Sequence, residues 1–237
     1  MKPVAYTRIA RLDPDLIARA ARLSVADLHE SLGALAGRQA LMQPQMRPIR
    51  LGRRVCGQAV TSFNYPGDNL LLHVAAKLAQ PGDVLVVSNG GSPMGALWGD
   101  VMTHFCQQQG IVGAVVDGAV RDINRIAEMG FPLWSTWISV SHPEKRGPGA
   151  VNVPMVVAGV CVQPGDLVVA DSDGVLSIPS LQVESAVAHA EIRLANEDAI
   201  RNRIDAGETL FDILGLQEKV DAMGLIEIEG TWQESNG

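Results

Sequence analysis

The sequence predicts an α/β domain with a largely parallel sheet, and three observations carry that expectation. Short runs rich in Val, Leu and Ile alternate with stretches of helical period between residues 55 and 135. Pro-Gly turns punctuate the alternation at Pro66-Gly67 and Pro81-Gly82. Runs such as Val84 to Val87 and Ala114 to Val116 are apolar throughout, as strands buried on both faces are.

Residues 13–22 and 25–35 read as helices, with Asp13 and Ser24 as their N-caps. A strand is expected over 55–63, a helix over 69–79, a strand over 84–87 and a helix over 101–109. The next strand, from 113, is expected to break at Gly118; a helix over 123–129 and a strand over 133–135 follow. Residues 136–178 are different. Short β-rich runs at 138–140, 151–153, 155–157, 167–170 and 175–178 lie between Pro and Gly turns, which suggests a small barrel or sandwich half. No linker marks a boundary, so the chain reads as one domain over 1–237. A helical pattern then runs over 180–204, ends at Gly207 and is followed by a second over 210–223. The first is long beside an ordinary helix of about 11–12 residues, and a neighbouring subunit is the natural surface for it.

The chain has 237 residues, 47% hydrophobic but only 4% aromatic, so aliphatic side chains must fill the core. No apolar run approaches the roughly 20 residues that span a bilayer. Met1-Lys-Pro-Val-Ala lacks the apolar stretch of a secretory signal, and a cytoplasmic protein without membrane contact is expected. A net charge of −7 disfavours non-specific nucleic-acid binding. The cluster Arg47, Arg50, Arg53 and Arg54 reads as a solvated edge or subunit contact. Cys56, Cys106 and Cys161 are too far apart for a zinc site or disulfide framework and read as buried small hydrophobes.

Two segments carry chemistry. Gly113-Ala-Val-Val-Asp-Gly-Ala-Val-Arg-Asp122 delivers Arg121 and Asp122 side by side beyond a buried strand. Such a pair can hold an anion beside a metal ion; alternatively it is a surface ion pair in which Asp122 caps the next helix. Ser88-Asn-Gly-Gly-Ser-Pro-Met-Gly-Ala-Leu-Trp-Gly-Asp100 places Asp100 at the start of a helix. Its Gly90, Gly91, Gly95 and Gly99 leave backbone amides open to an anion. It matches neither a P-loop nor a dinucleotide fingerprint. Two consecutive strand–loop–helix units, each with an Asp just past its strand, point to a shared pocket. Asp171-Ser-Asp-Gly174 reads as a tight turn rather than a calcium loop. His142-Pro-Glu-Lys-Arg-Gly-Pro-Gly149 reads as an exposed connection, with a cover over a pocket as the other possibility.

With these motifs the chain resembles the 4-hydroxy-4-methyl-2-oxoglutarate / 4-carboxy-4-hydroxy-2-oxoadipate aldolases within the larger RraA-like group. The matching elements include Pro66-Gly-Asp-Asn-Leu-Leu-Leu-His73, Pro81-Gly-Asp-Val-Leu-Val-Val87, Gly99-Asp100 and Asp117-Gly-Ala-Val-Arg-Asp122. Phe131-Pro-Leu-Trp-Ser135, Val151-Asn-Val-Pro154, Pro164-Gly-Asp166 and Ala170-Asp-Ser-Asp-Gly-Val175 continue them in the same order. The likeness runs from about Leu28 to Glu229.

The resemblance implies a layered α/β sandwich with a β-rich swivelling-type core and a C-terminal helical extension, residues 180–229, packed on a neighbouring subunit of a trimer or hexamer. It implies cleavage of a small 4-hydroxy-2-oxo acid to pyruvate plus oxaloacetate or pyruvate, with secondary oxaloacetate decarboxylation. Asp122 would be the direct ligand of Mg²⁺ or Mn²⁺. Asp100 and a glutamate from the adjacent subunit, Glu197 or alternatively Glu191, would act through water. Arg121 would stabilise the pyruvate enolate, and the backbone near Leu97, Trp98 and Gly99 would hold the substrate carboxylate. Asn69, His73 and Glu30 also match positions near the site.

An enolate can be stabilised by a lysine Schiff base or by a Lewis-acid metal. None of Lys2, Lys77, Lys145 and Lys219 lies in a buried-strand context, so the metal route is expected. RraA-like regulators that bind a ribonuclease are the competing class. Asp100 with Arg121-Asp122, and the extension over 182–229, favour the enzyme. A metal-dependent enzyme for another oxo acid is a third reading.

Overall fold

The computed structural model describes residues 2–234. The N-terminal segment contains β1 (Val4–Ala5), α1 (Pro14–Ala20), α2 (Val25–Ser31), α3 (Ala34–Ala40) and β2 (Arg47–Pro48). Asp13 caps α1 by accepting from Asp15 N, and Ser24 with Asp27 forms a capping box on α2. The helix expected over 25–35 stops at Ser31, because Gly33 takes φ 78° and starts α3 afresh.

The centre follows the expected alternation: β3 (Val55–Asn64), α4 (Leu70–Leu78), β4 (Val84–Ser88), α5 (Asp100–Gln108), β5 (Gly113–Val120), α6 (Ile123–Met129) and β6 (Leu133–Ile138). Strands β3, β4, β5 and β6 lie side by side and parallel, in chain order. Strand β5 does not break at Gly118 but continues to Val120, with a register shift against β6 between Val116 and Ala119. Gly118 serves close approach instead: a Cβ there would lie 2.6 Å from Leu97 Cδ1 and 2.8 Å from Asn89 Oδ1.

The β-rich segment supplies β7 (Gly149–Val151), β8 (Met155–Val157), β9 (Val160–Val162), β10 (Leu167–Ala170) and β11 (Val175–Ile178). The runs expected at 138–140 and 151–153 are displaced: β6 ends at Ile138 and β7 ends at Val151. Strand β3 serves two neighbourhoods. Its first half pairs antiparallel with β10, its second half parallel with β4, and its end antiparallel with β7. The turn between β10 and β11 is the tight one expected, closed by Asp173 N donating to Asp171 Oδ1 at 2.9 Å.

Alternation along the strands sends successive side chains to opposite faces and builds two cores. Val60, Leu85, Val87 and Val116 face Leu72, Ala75, Cys106 and Ile126 of the helices. Ala59, Val84, Val86 and Val115 face Met46, Trp134, Val157 and Val168. Each fully buried large aliphatic side chain contributes about 1.5–3 kcal/mol. The result is the layered α/β sandwich, with helices on one face and the β-rich part on the other. Cys106 is buried and Cys56 half-buried, and burial pushes both thiols up to about 12. Cys161 is exposed, contrary to the expectation, because it is the outward-facing middle residue of three-residue β9.

The chain forms two compact units, Met1–Glu191 and Ile192–Gly237. Helix α7 (Val183–Asp205) follows a 3₁₀ turn at Ser180–Gln182. The helix expected over 210–223 is two, α8 (Leu210–Ile213) and α9 (Gln217–Met223), separated at Gly215 with φ 59°. In the second unit no described residue is buried. Ile192, Phe211, Ile226 and Trp232 are among its exposed apolar side chains. Among the described residues no helix is long and apolar enough to cross a membrane.

Candidate active site

Each parallel strand ends at the same rim, where open α/β sheets bind their ligands. Strand β3 leads to Asn69 and α4, β4 to the glycine-rich loop and α5, β5 to Arg121 and Asp122, and β6 to the segment containing Lys145. A cavity of about 570 Å³ lies at this rim. Asn69, His73, Leu97, Trp98, Gly99, Asp100 and Arg121 all line it, as the sequence led us to expect.

Asp122 is not among the residues that line the cavity; it lies next to two that do, with Arg121 Nε 3.5 Å from its Oδ2. It occupies the N-cap position of α6 in a left-handed conformation, φ 59°, yet makes no side-chain cap hydrogen bond. The capping alternative therefore fails. Its Oδ2 turns toward the start of α5 and lies 3.4 Å from Asp100 N. Gly99 makes room for it, since a Cβ there would meet that oxygen at 2.7 Å. Holding a non-glycine residue at positive φ is costly, and such conformations gather at functional sites.

Asp100 opens α5 and accepts from Val101 N at 2.8 Å and from Arg125 Nη1 at 2.9 Å. The hydrogen bond from Arg125 is the chief cause holding its carboxyl below the usual range. Sequence reasoning missed Arg125; its only signal was spacing, three residues past Asp122 on the same helix. Trp98 offers the cavity backbone rather than its ring. The indole is buried, stacked on Phe131 at 5.9 Å, and donates to Thr103 Oγ1 at 2.8 Å. Its carbonyl accepts from Arg121 N at 3.0 Å, which ties the two loops together.

Asn69 is 7% exposed and donates to Leu97 O at 3.1 Å, while its Oδ1 is buried without a protein partner. His73 is held below its ordinary value by burial and then by the Lys145 charge, which favours the neutral imidazole. Lys145 and Lys77 both line the cavity, so its far side is cationic. The segment 142–149 is therefore a strap along the cavity rather than a plain exposed connection. Alternation in an extended chain turns Pro143 and Lys145 inward while leaving Glu144 and Arg146 on the other side.

The remaining glutamates lie elsewhere. Glu30 is exposed and does not line the cavity. Glu191 pairs with Arg19 at 2.6 Å, and Glu197 pairs with Arg193 at 3.1 Å and Arg201 at 3.0 Å on its own helix. Among the described residues no group of three or more His, Cys, Asp or Glu side chains could hold a metal ion. Asp100 and Asp122 offer two adjacent carboxylates. That sparse oxygen set suits Mg²⁺ or Mn²⁺, which keep several waters, and does not suit a closed zinc site.

Residues 25–177 match the RraA-like family described as Aldolase/RraA. Over 154 residues the chain is 37% identical to a Halalkalibacterium halodurans protein named "Putative 4-hydroxy-4-methyl-2-oxoglutarate aldolase", covering 65% of this chain and 73% of that one. A crystal structure of Streptomyces coelicolor RraAS2, described as an unusual member of the RNase ES inhibitor RraA protein family, is similar at TM-score 0.75. It is 32% identical, with 82% of this chain and 99% of that one covered. An uncharacterised Pseudomonas syringae protein has the same TM-score at 30% identity, covering 86% and 98%.

Proposed function

The chain belongs to the RraA-like Aldolase/RraA family, and from that premise we propose that it is a divalent-metal-dependent oxo-acid lyase. Its substrate would be 4-carboxy-4-hydroxy-2-oxoadipate or 4-hydroxy-4-methyl-2-oxoglutarate, cleaved to pyruvate plus oxaloacetate or pyruvate. The carrying observation is that Asp100 and Arg121 line one cavity, with Asp122 next to both: its Oδ2 lies 3.5 Å from Arg121 Nε and accepts from Asp100 N at 3.4 Å.

Asp122 would hold Mg²⁺ or Mn²⁺ directly and Asp100 through water; when bound, the ion would polarise the 2-oxo group of the substrate as a Lewis acid. Of the amides at the start of α5, Asp100 N and Val101 N already donate to Asp122 Oδ2 and Asp100 Oδ1, and the Gly99 amide would be the one to meet the C1 carboxylate. Asp100, kept ionised by Arg125, would take the proton of the C4 hydroxyl through water. The C3–C4 bond then breaks, its electron pair moving toward the 2-oxo oxygen, where Arg121 faces the developing negative charge. Oxaloacetate would lose CO₂ by the same bond cleavage and reach the same enolate. Lys145 and Lys77 suit a second carboxylate at the far side, so a polyanionic substrate fits better than a neutral one.

A second unit without buried residues but with exposed Ile192, Phe211, Ile226 and Trp232 supports a homo-oligomer, trimeric or hexameric. Glu197, with Glu191 as the alternative, would complete a neighbour's site through water. The net charge of −7 supports a reading without nucleic acid, and a cytoplasmic setting fits the chemistry.

Pyruvate release from either aldol substrate, with Mg²⁺ and then with chelator, tests the reading. Turnover that survives chelation would remove the metal from the mechanism. Absence of turnover would favour the binding role suggested by the likeness to the Streptomyces protein, or another oxo acid. Asp122→Ala is expected to lower kcat/KM by at least a thousandfold with the thermal midpoint nearly unchanged.

A further inference from the structure

Asp68 lies outside the cavity and has no role in the chemistry above, yet it is 3% exposed and all of its capacity is directed at two neighbouring segments. Its Oδ2 accepts from the amides of Arg146 and, at 3.0 Å, Gly147, both on the strap. Its Oδ1 accepts from Leu70 N at 2.8 Å, at the first turn of α4. Two backbone bonds run alongside: Asn69 N donates to Glu144 O at 3.0 Å, and Glu144 N donates to Gly67 O at 2.7 Å. The strap segment before it is clipped separately, by Ala96 N donating to Ser141 O at 2.8 Å and Gly95 N to Ser141 Oγ at 3.2 Å. One carboxylate thus joins the two walls of the cavity: α4, with Asn69, His73 and Lys77, and the strap, with Pro143 and Lys145.

We infer that Asp68 is a positioning residue for ligand specificity, clipping the strap to α4 so that Lys145 stands over the cavity. The inference rests on the proposed lyase reading for its substrate. Without the carboxylate, the backbone bonds of Glu144 still hold the chain before Lys145, but Arg146 and Gly147 just after it lose their acceptor, and the Lys145 ammonium loses little by turning to solvent. With it, the ammonium acts within a defined wall, close enough to His73 and Asp68 to bear on both carboxyl and imidazole. Asparagine at 68 matches the carboxylate in size but replaces one acceptor oxygen with a donor, which would face an amide N–H.

Lys145-Arg146-Gly147 is also a tryptic site with exposed side chains, so the clip can be read without turnover. In the 237-residue chain, Asp68→Asn is expected to be cut after Lys145 or Arg146 at least tenfold faster, with a cooperative thermal transition at a modestly lower midpoint. Oxalate, a mimic of the pyruvate enolate, should restore less protection to this variant than to the unmodified protein. The KM for oxaloacetate should rise at least fivefold while kcat changes less than twofold. Because Asp68 acts through Lys145, adding Asp68→Asn to Lys145→Met should raise KM no further, a non-additivity that a general loss of stability would not produce. Unchanged cleavage in a folded Asp68→Asn protein, or KM effects that multiply in the double variant, would overturn the inference. Should Asp68→Asn fail to fold, Arg146→Pro removes one amide donor and is held to the KM outcome alone, since trypsin does not cut a Lys-Pro bond: KM effects that multiply with Lys145→Met would overturn the inference. Failure to turn over any oxo acid would sink the lyase reading alone, since the cleavage comparison stands by itself.

Discussion

Gly99 shows how a single missing side chain can matter to this site. Its backbone is extended, φ −155°, so alanine meets no conformational penalty there. The cost is local: the new methyl would sit 2.7 Å from Asp122 Oδ2. Gly99→Ala is therefore expected to displace that carboxylate, weakening Mn²⁺ binding at least tenfold by titration calorimetry with the fold intact. Equal affinity would mean that Asp122 is not the ligand. Arg125 makes the complementary point. Asp100 is depressed chiefly by its hydrogen bond, so Arg125→Gln should move the acidic limb of the kcat/KM profile to higher pH. An unmoved limb would show that Asp100 does not govern it. Arg125 and Lys145 were not legible in the sequence, because exposed basic residues are common and only tertiary contact distinguishes these two. Asp100, Arg121 and Asp122 stood out because each lies between a buried strand and the start of the next helix, Asp100 opening α5 and Asp122 preceding α6.

Among the elements, the parallel strands and their helices were readable because apolar runs and Pro-Gly turns repeat the same unit. The errors occur at glycines, read as a break at Gly118 and passed over at Gly33 and Gly215. Gly118 lies inside β5, where neighbouring side chains crowd it, whereas Gly33 and Gly215 divide helices that periodicity alone would join. The strap was misjudged for another reason: its polar, Pro- and Gly-rich composition describes solvent exposure, while its position follows from tertiary bonds of Ser141 and Glu144 and of the Asp68 carboxylate. Burial alone would raise the Asp68 carboxyl, but the amides of Arg146, Leu70 and Gly147, with the Lys145 charge, together hold it low. A depressed carboxyl stabilises the folded form above its unfolded value and loses that contribution as pH falls through the folded one. The amide resonances of Arg146 and Gly147 should accordingly titrate with a midpoint below the ordinary aspartate value of about 3.9. A midpoint above it would argue against the clip.

For the molecule as a whole, the two units differ in what sustains them. Met1–Glu191 holds two extensive cores, while the described part of Ile192–Gly237 has half-buried side chains such as Leu194, Ile213 and Leu216 but none fully buried. Ordering a residue costs about 1–2 kcal/mol of backbone entropy, so such a segment needs apolar contact from elsewhere. Sedimentation velocity at micromolar concentration should show a trimer or hexamer, and removing residues 192–237 should reduce the assembly and the activity together. A monomeric, fully active truncated protein would rule out a contribution of that segment to the site.

The double allegiance of β3 carries one more consequence. A strand paired on a single side can absorb a deletion by sliding along its neighbour, but here any slide is read by two partners at once. Removing one residue from the middle of Val55–Asn64 would leave either the β10 side or the β4 side out of phase, with side chains shaped for one core driven into the other. This stretch should therefore tolerate substitution by shape but almost no change of length, and evolutionary or engineered insertions should accumulate at the surface loops instead.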